Sequence, residues 1–377
     1  MTSEQKITAE TKPRRKVFKA IKWILIVSTF VVLLLFFGVP LFLSSSGGTG
    51  FLLNKINSTV DGQVQMDDFS IGWFKGIKLT KLSYADSTGN TSVAIDRVET
   101  QPKYMSLLGG KVNLGKTIVD RPHLYLRVPM IQDVVSVSEK AASSEEKSDA
   151  PPPVFPVNQI DLELINGTAT IELTGDVPQT VSFTNIASIV QIADAGKQSV
   201  LDISMDVDDS SKISAKGTAT PSKKGWTLKE GDFEVQISKL QLASLKPLFA
   251  LAGQEMDMAG ELNADTTIQI KDNQIQQLKA DAVISDFAQG SGTQRTVFDQ
   301  PVKLSALISG DEKAINIERA RVESAFCTVN CTGTTENLNY DIKADLAQTQ
   351  RFAGQFADMQ GLAMDGDLSV QGEIHLT

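Results

Sequence analysis

The sequence has few of the residues on which most protein chemistry depends. Its 377 residues include only two histidines and two cysteines, and 6% of the side chains are aromatic. His123 and His375 leave little for a zinc site or for histidine-based catalysis, and two cysteines cannot form a disulfide scaffold. The net charge of −9 argues against nucleic acid as a partner, because phosphate binding needs a basic surface.

Sequence motifs for catalysis are also missing. The chain contains no G-x-x-x-x-G-K-[ST] phosphate loop and no G-x-S-x-G nucleophile turn. We therefore predict that the protein is not an enzyme and carries no cofactor or metal ion. The glycines of Gly47-Gly48-Thr49-Gly50 are interpreted as a flexible spacer.

The strongest positive signal is a run of 21 uncharged residues, Trp23–Leu43. As a helix it would be roughly 30 Å long, about the thickness of the hydrocarbon core of a bilayer. Seven basic residues precede it, and the next one after it is Lys55. The positive-inside rule then places residues 1–22 in the cytoplasm and the rest of the chain outside it. A cleaved signal peptide is the alternative, although its apolar core is usually shorter.

The rest of the chain divides at a polar segment. Residues 130–156 include a stretch rich in Ser, Glu and Pro, which is typical of a flexible linker. The segment separates a first β region, 51–129, from a second, 157–377, with a repeat boundary expected near 260–270. Both regions alternate apolar and polar residues, as in Leu201/Ile203/Met205/Val207, which indicates sheets with one apolar and one solvated face.

Local signals predict a few turns and helices within these regions. Asn166-Gly167 in IDLELINGTATIEL suits a type I′ hairpin turn and would pair Leu164 with Ala169. Helices are expected at 240–251 and 347–358. Each is followed by glycine, an acidic residue and a strand, at Gly260 and Gly366, which suggests a divergent internal repeat.

Cys327 and Cys331 are the only thiols. In a continuous strand four residues span about 13 Å, too far for a disulfide. A turn between them would allow a local disulfide in an oxidising compartment. Both alternatives remain open from the sequence.

The predicted fold is mainly β, with the transmembrane helix followed by an elongated, strongly curved antiparallel sheet and a few short helices. About 18 strands at ~4.8 Å would extend roughly 85 Å. An apolar sheet face must be covered, either in a closed sandwich or barrel, or by lipid chains lying in an open β-groove. Nine side chains are expected to line such a groove, unless they are ordinary core residues: Leu162, Leu164, Ile171, Leu173, Leu201, Ile203, Met205, Leu304 and Ile308.

Several segments carry a family resemblance. They are Gly62-Gln-Val64-Gln-Met66, Trp73-Phe-Lys-Gly76-Ile77-Lys-Leu79, Ser106-Leu107-Leu108-Gly-Gly110 and Asp120-Arg-Pro122-His-Leu124. Together with the preceding apolar run, they resemble the amino-terminal region of AsmA-like proteins. The segment Leu242-Ala-Ser-Leu245-Lys-Pro-Leu248, followed by Gly260-Glu-Leu262, is also similar to that family.

The resemblance implies a bacterial inner-membrane protein with one membrane span and a periplasmic body. It implies binding or conduction of phospholipids between the inner and outer membranes through the groove. The alternative is a scaffold for outer-membrane protein or envelope assembly, which would pair its C-terminal edge strand with an outer-membrane or periplasmic protein. The sequence ends at Thr377 within an alternating strand, so either the chain is a fragment or its last strand is an open edge.

Overall fold

A computed structural model describes residues 37–38, 40–104, 106, 112–129, 157–174, 178–192, 196–208, 210–222, 227–251, 257–290, 295–310, 315–353 and 363–375. Within these ranges all 18 strands belong to one sheet, which is not closed on itself. The strands are β1 Gln63–Gln65, β2 Asp68–Gly72, β3 Gly76–Ala85, β4 Thr91–Thr100, β5 Val112–Pro129, β6 Val157–Thr174, β7 Gln179–Ile192, β8 Ser199–Val207, β9 Ser211–Pro221, β10 Leu228–Gln241, β11 Met258–Lys271, β12 Gln274–Gln289, β13 Thr296–Val297, β14 Val302–Gly310, β15 Ile315–Glu323, β16 Cys327–Thr334, β17 Asn337–Asp345 and β18 Asp367–His375.

The strand order follows the chain. β1 and β2 both pair with β3, and from β3 onward each long strand pairs with the next as far as β18, with β13 beside the end of β12. All pairs are antiparallel except β5 and β6, which run parallel. The prediction of a purely antiparallel sheet was therefore wrong at this one pair. Because β5 and β6 lie on either side of residues 130–156, their pairing joins the two predicted β regions into one sheet.

Short helices connect strands at one end of the sheet. A 3-10 turn, Leu242–Leu245, and helix α2, Lys246–Leu251, follow β10, while helix α3, Leu346–Ala353, follows β17. Asp345 caps α3, because its Oδ1 accepts a hydrogen bond from the Gln348 amide at 2.9 Å. The helix predicted at 240–251 is confirmed from residue 242 onward, whereas Leu240 and Gln241 belong to β10. The helix predicted at 347–358 is confirmed as far as the structure describes it. Each connects two neighbouring antiparallel strands.

The hairpin predicted at Asn166-Gly167 was wrong. Residues 157–174 form the single strand β6, which pairs with β5 on one side and β7 on the other. A type I′ turn needs positive φ at both residues, but only Asn166 has it, at 53°. The register on β7 shifts between Leu164 and Gly167, so the Asn-Gly pair forms a β-bulge within a continuous strand.

The glycine-rich spacer predicted at residues 47–50 was also wrong. These residues belong to helix α1, Ser46–Asn57, which Ser45 caps by accepting a hydrogen bond from the Gly48 amide at 3.2 Å. A Cβ atom at position 48 would fall 2.0 Å from the carbonyl oxygen of Phe42. Gly48 is therefore required where α1 crosses the helical residues 40–43.

The predicted membrane anchor lies mostly outside the described residues, which include only 37–38 and 40–43 of Trp23–Leu43. Within the part of the chain that the structure describes, no helix is both long enough and apolar enough to cross a bilayer.

Candidate functional site

The two faces of the sheet differ sharply in chemistry. Residues paired across neighbouring strands point to the same side of a sheet, so the strand register assigns every paired side chain to a face. We call the side that carries Leu162 the apolar face and the opposite side the polar face. One row of successive partners crosses the whole sheet on the apolar face, from β2 to β18: Ile71, Ile77, Thr100, Thr117, Leu162, Val190, Leu201, Gly217, Phe233, Ile268, Leu278, Ile308, Ile317, Gly333, Leu338 and Ile374.

A second row lies next to the first and is equally free of charge. Its members are Phe69, Leu79, Val98, Val119, Leu164, Ser188, Ile203, Ala215, Val235, Thr266, Ala280, Ala306, Ala320, Cys331, Tyr340 and Gly372. Among the strand-paired residues that the structure describes, none on the apolar face is Asp, Glu, Lys or Arg. The apolar face is therefore continuous from the first strands to the last.

The polar face carries the ion pairs of the strands. Lys116 Nζ lies 2.7 Å from Glu163 Oε2, and Arg97 lies 3.3 Å from Asp120. The side-chain hydrogen bond to Glu163 raises the pKa of Lys116. A cleft of about 590 Å³ on this face is lined by alternating charges and hydroxyls, namely Asp202, Ser204, Lys212, Ser214, Lys216, Glu234, Gln236 and Ser238. No group of three or more possible metal ligands occurs among the described residues.

Among the residues that the structure describes, protein covers the apolar face mainly near the short helices. Val181, Val207 and Leu240 are at most 3% exposed, and Leu245 and Leu248 of the connection between β10 and β11 pack against them. This connection reaches back over four strands, because α2 contacts β6. The covered area therefore lies at the helix end of β6–β11.

Four phenylalanines extend this cover along the same end of the strands. Phe298 stacks on Phe287 with ring centroids 5.1 Å apart, and it also contacts Phe326 and Phe352. Phe352 comes from α3, so the second helix contributes to the same cluster. We call Phe287, Phe298, Phe326 and Phe352 the aromatic cluster.

Elsewhere the apolar face is accessible. Eight of its large side chains are between 36% and 50% exposed: Leu124, Ile192, Ile275, Leu304, Ile315, Val322, Leu368 and Ile374. At roughly 100 Å² of apolar surface per such side chain, they expose on the order of 300 Å², and half-buried neighbours add to this area. The largest apolar patch on a soluble monomer is typically about 300–600 Å² and often has a function.

All nine side chains predicted to line a groove lie on the apolar face. Leu304 is 43% exposed, whereas Leu173 is 2% exposed. Ile171 borders the covered area, and the other six are half-buried. Of the nine, Leu173 therefore has the least surface to offer a ligand. That any of them contacts lipid stays a prediction.

Sequence reasoning missed part of this face and the whole aromatic cluster. Phe233 lies over Gly217, where an added Cβ would fall 2.3 Å from the ring. Because Gly217 has no apolar side chain, a search for alternating apolar residues does not identify this part of the apolar face. Phe287, Phe298, Phe326 and Phe352 come from four separate segments, and no local pattern brings them together.

The cysteines also lie on the apolar face. Cys327 pairs with Ala344 and Cys331 with Tyr340 along the continuous strand β16, and both thiols are free. The structure therefore supports two unbridged cysteines rather than a local disulfide. Partial burial raises the pKa of Cys327.

The chain gives no match in a comparison with models of known protein families, nor in a comparison with curated protein sequences.

Proposed function

We propose that the protein binds phospholipids on its apolar face and conducts them along it between the inner and outer membranes of a bacterial envelope. One observation carries this proposal: a face without charge continues across the described strands, yet described parts of the chain cover it mainly beside the short helices. Acyl chains are the ligand that suits such a face, since they need apolar contact along a line and no hydrogen bonds.

The proposal includes the AsmA-like resemblance, the inner-membrane anchor at Trp23–Leu43 and a periplasmic body. The phospholipid headgroups would stay in solvent at the strand ends away from the helices. Because the ligand makes no covalent bond and needs no proton transfer, the proposed role is binding and conduction rather than catalysis.

Photo-crosslinking in whole cells tests the binding site in the full-length chain. A benzophenone amino acid is placed either at Leu304 or at Leu307, three residues further along β14. Leu304 pairs with Ala282 and Val322 on the apolar face, whereas Leu307 pairs with Lys279 and Arg319 on the polar face. We expect phospholipid adducts at Leu304 and none at Leu307. Equal labelling of both positions, or no lipid at Leu304, would refute lipid binding on this face.

A second function is favoured by the free edge of β18. Within the described residues β18 pairs only with β17, and Leu368 and Ile374 are about 40% exposed. A protein client could add a strand there. In that case the same probe at position 374 would yield a protein adduct, and the Leu304 position would yield no lipid.

A further inference from the structure

Three segments meet at the end of the first strands, away from the short helices. Ser44 Oγ, just past the apolar run, accepts a hydrogen bond from the Ile71 amide at 2.9 Å. Tyr104 Oη donates to the Gly72 carbonyl at 3.3 Å, and its ring lies 4.9 Å from that of Trp73. The end of the apolar run is thus fixed beside the turn between β2 and β3.

This turn presents aromatic side chains to solvent. Phe74 is 92% exposed and Trp73 is 37% exposed. Leu41 and Phe42, in the run itself, are 73% and 57% exposed. An exposed phenylalanine at the tip of a hairpin adds nothing to the core, so it needs another explanation.

The charge around the turn is positive. Residues 69–85 and 101–119 contain no acidic residue, although the chain has nine more acidic than basic residues. Lys75 and Lys103 are exposed beside the aromatic rings. The nearest carboxylate on β4, Glu99, lies 3.2 Å from Lys78. The surface around Trp73 therefore combines aromatic rings with basic side chains.

We propose that the turn Gly72–Gly76 inserts into the headgroup layer of the membrane that holds the apolar run. Tryptophan is enriched at this depth of a bilayer, and lysine is attracted to anionic headgroups there. The hydrogen bond from Ile71 to Ser44 supplies the geometry, because it places the turn where the 21-residue run ends.

This inference rests on the proposed function and deepens it by identifying where lipid enters. The first members of the two apolar rows, Ile71, Ile77, Phe69 and Leu79, lie on the strands that form the turn. With Trp73 and Phe74 in the headgroup layer, these four side chains lie at the end of the apolar face nearest the bilayer. A phospholipid could then move from the bilayer onto the apolar face without its acyl chains crossing open water.

The test uses tryptophan fluorescence of the full-length chain in vesicles of phosphatidylethanolamine and phosphatidylglycerol. Trp23→Phe and Trp226→Phe leave Trp73 as the only indole. The control carries Trp73→Phe and Leu307→Trp in the same background. Position 307 lies on the polar face between Lys279 and Arg319, eleven strand steps, or roughly 53 Å along the sheet, from β2.

Lipids brominated near the headgroup should quench about half of the Trp73 emission, because interfacial tryptophan lies at headgroup depth and bromine quenches an indole only over a short distance. They should leave the emission from position 307 unchanged. Phe74→Asp should reduce the quenching of Trp73 about twofold, and since Phe74 is 92% exposed, the variant should still fold. Absence of Trp73 quenching would overturn the insertion of the turn.

Equal quenching at both positions would also overturn it, because lipid contact would then not be confined to the turn. The adducts at Leu304 are measured separately. Adducts without Trp73 quenching would refute only the inserted turn, and quenching without adducts would refute only the lipid-binding face.

Discussion

A single charge on the apolar face should remove lipid without unfolding the protein. Leu304 is 43% exposed, so Leu304→Asp forfeits a little over half of the 2–3 kcal/mol that full burial of a leucine provides. We therefore expect a loss of about 1–2 kcal/mol in the free energy of unfolding. In a body of this size such a loss lowers the melting temperature by only a few degrees, roughly 2–4 °C.

The cost to lipid binding should be larger. A carboxylate in contact with acyl chains is disfavoured by about 2.5–3.5 kcal/mol. Since 1.4 kcal/mol corresponds to a factor of ten, the occupancy of that segment should fall roughly 100-fold. The assay is mass spectrometry of the lipid that co-purifies with the protein, combined with thermal unfolding followed by circular dichroism.

Leu307→Asp is the matched control. It makes the same change on the same strand, but on the polar face between Lys279 and Arg319, where a carboxylate gains partners. We expect unchanged lipid content from this variant. If Leu304→Asp instead unfolds the protein, the apolar face is a closed core, because burying an unpaired charge there costs several kcal/mol, about 3–5.

Three further predictions concern the covered end and the thiols. Phe298→Ala removes a ring that is 7% exposed from the aromatic cluster, so we expect a loss of about 3–5 kcal/mol in chemical denaturation, whereas Phe74→Ala should change stability by less than about 0.5 kcal/mol. Asp345→Ala removes the cap of α3 and should lower the free energy of unfolding by about 1 kcal/mol, while Asp345→Asn should retain most of the capping energy. Hydrogen bonds from Gln348 lower the pKa of Asp345. The stability that the charged Asp345 contributes is therefore present above the ordinary carboxyl pKa and is lost as the pH falls through the lowered value. Because both thiols are free, an alkylating reagent added without reductant should modify both. Burial raises the pKa of Cys327, so Cys327 should react more slowly than a free cysteine at neutral pH and faster as the pH rises. A measured mass two daltons lower, with no alkylation, would instead show a disulfide.

The sequence was most informative about which side of each strand is apolar. Side-chain alternation depends only on the geometry of a single strand, so Leu201, Ile203 and Met205 could be assigned to one face without any knowledge of their neighbours. Which strands lie next to each other depends on contacts between residues far apart in sequence, and no local pattern specifies these contacts. The parallel pairing of β5 with β6 is the clearest example, because the two strands are 27 residues apart in sequence.

The hairpin predicted at Asn166-Gly167 was wrong, yet the side chains around it were assigned to the correct face of the sheet. A two-residue turn would place Leu162, Leu164, Ile171 and Leu173 on one side. A bulge at Asn166 adds one residue to a continuous strand and places the same four side chains on one side. The sequence pattern fits both structures equally well. The pairing of β6 with β5 and β7 decides between them, and the bulge needs glycine at position 167, since a Cβ there would lie 2.8 Å from Leu164 and 3.2 Å from Pro122.

The same bulge recurs along the sheet, and it leaves a signal in the sequence. At Lys81, Arg121, Asn166, Asn185, Lys239 and Asp286 a polar residue has a φ between 49° and 54°. In every case the apolar-face residues on either side are three positions apart rather than two, as in Leu79 and Leu82 or Ile237 and Leu240. In such a sheet, two successive apolar-face residues that are three positions apart, with a polar residue just before the second, therefore predict a bulge.

These breaks bear on what the apolar face is for. In a strand with strict alternation, one extra residue would move all following side chains to the opposite face and bring charges onto the apolar face. At each bulge the spacing of apolar residues in the sequence changes from two to three, so the apolar side chains stay on the same face. Cover by protein explains this change near α2, where Leu240 is 3% exposed. Cover by protein does not explain the same change of spacing between Leu79 and Leu82 on β3. Both side chains are half-buried, and β3 is separated from the strands that α2 covers. A ligand running the length of the face would require the same phase at both places.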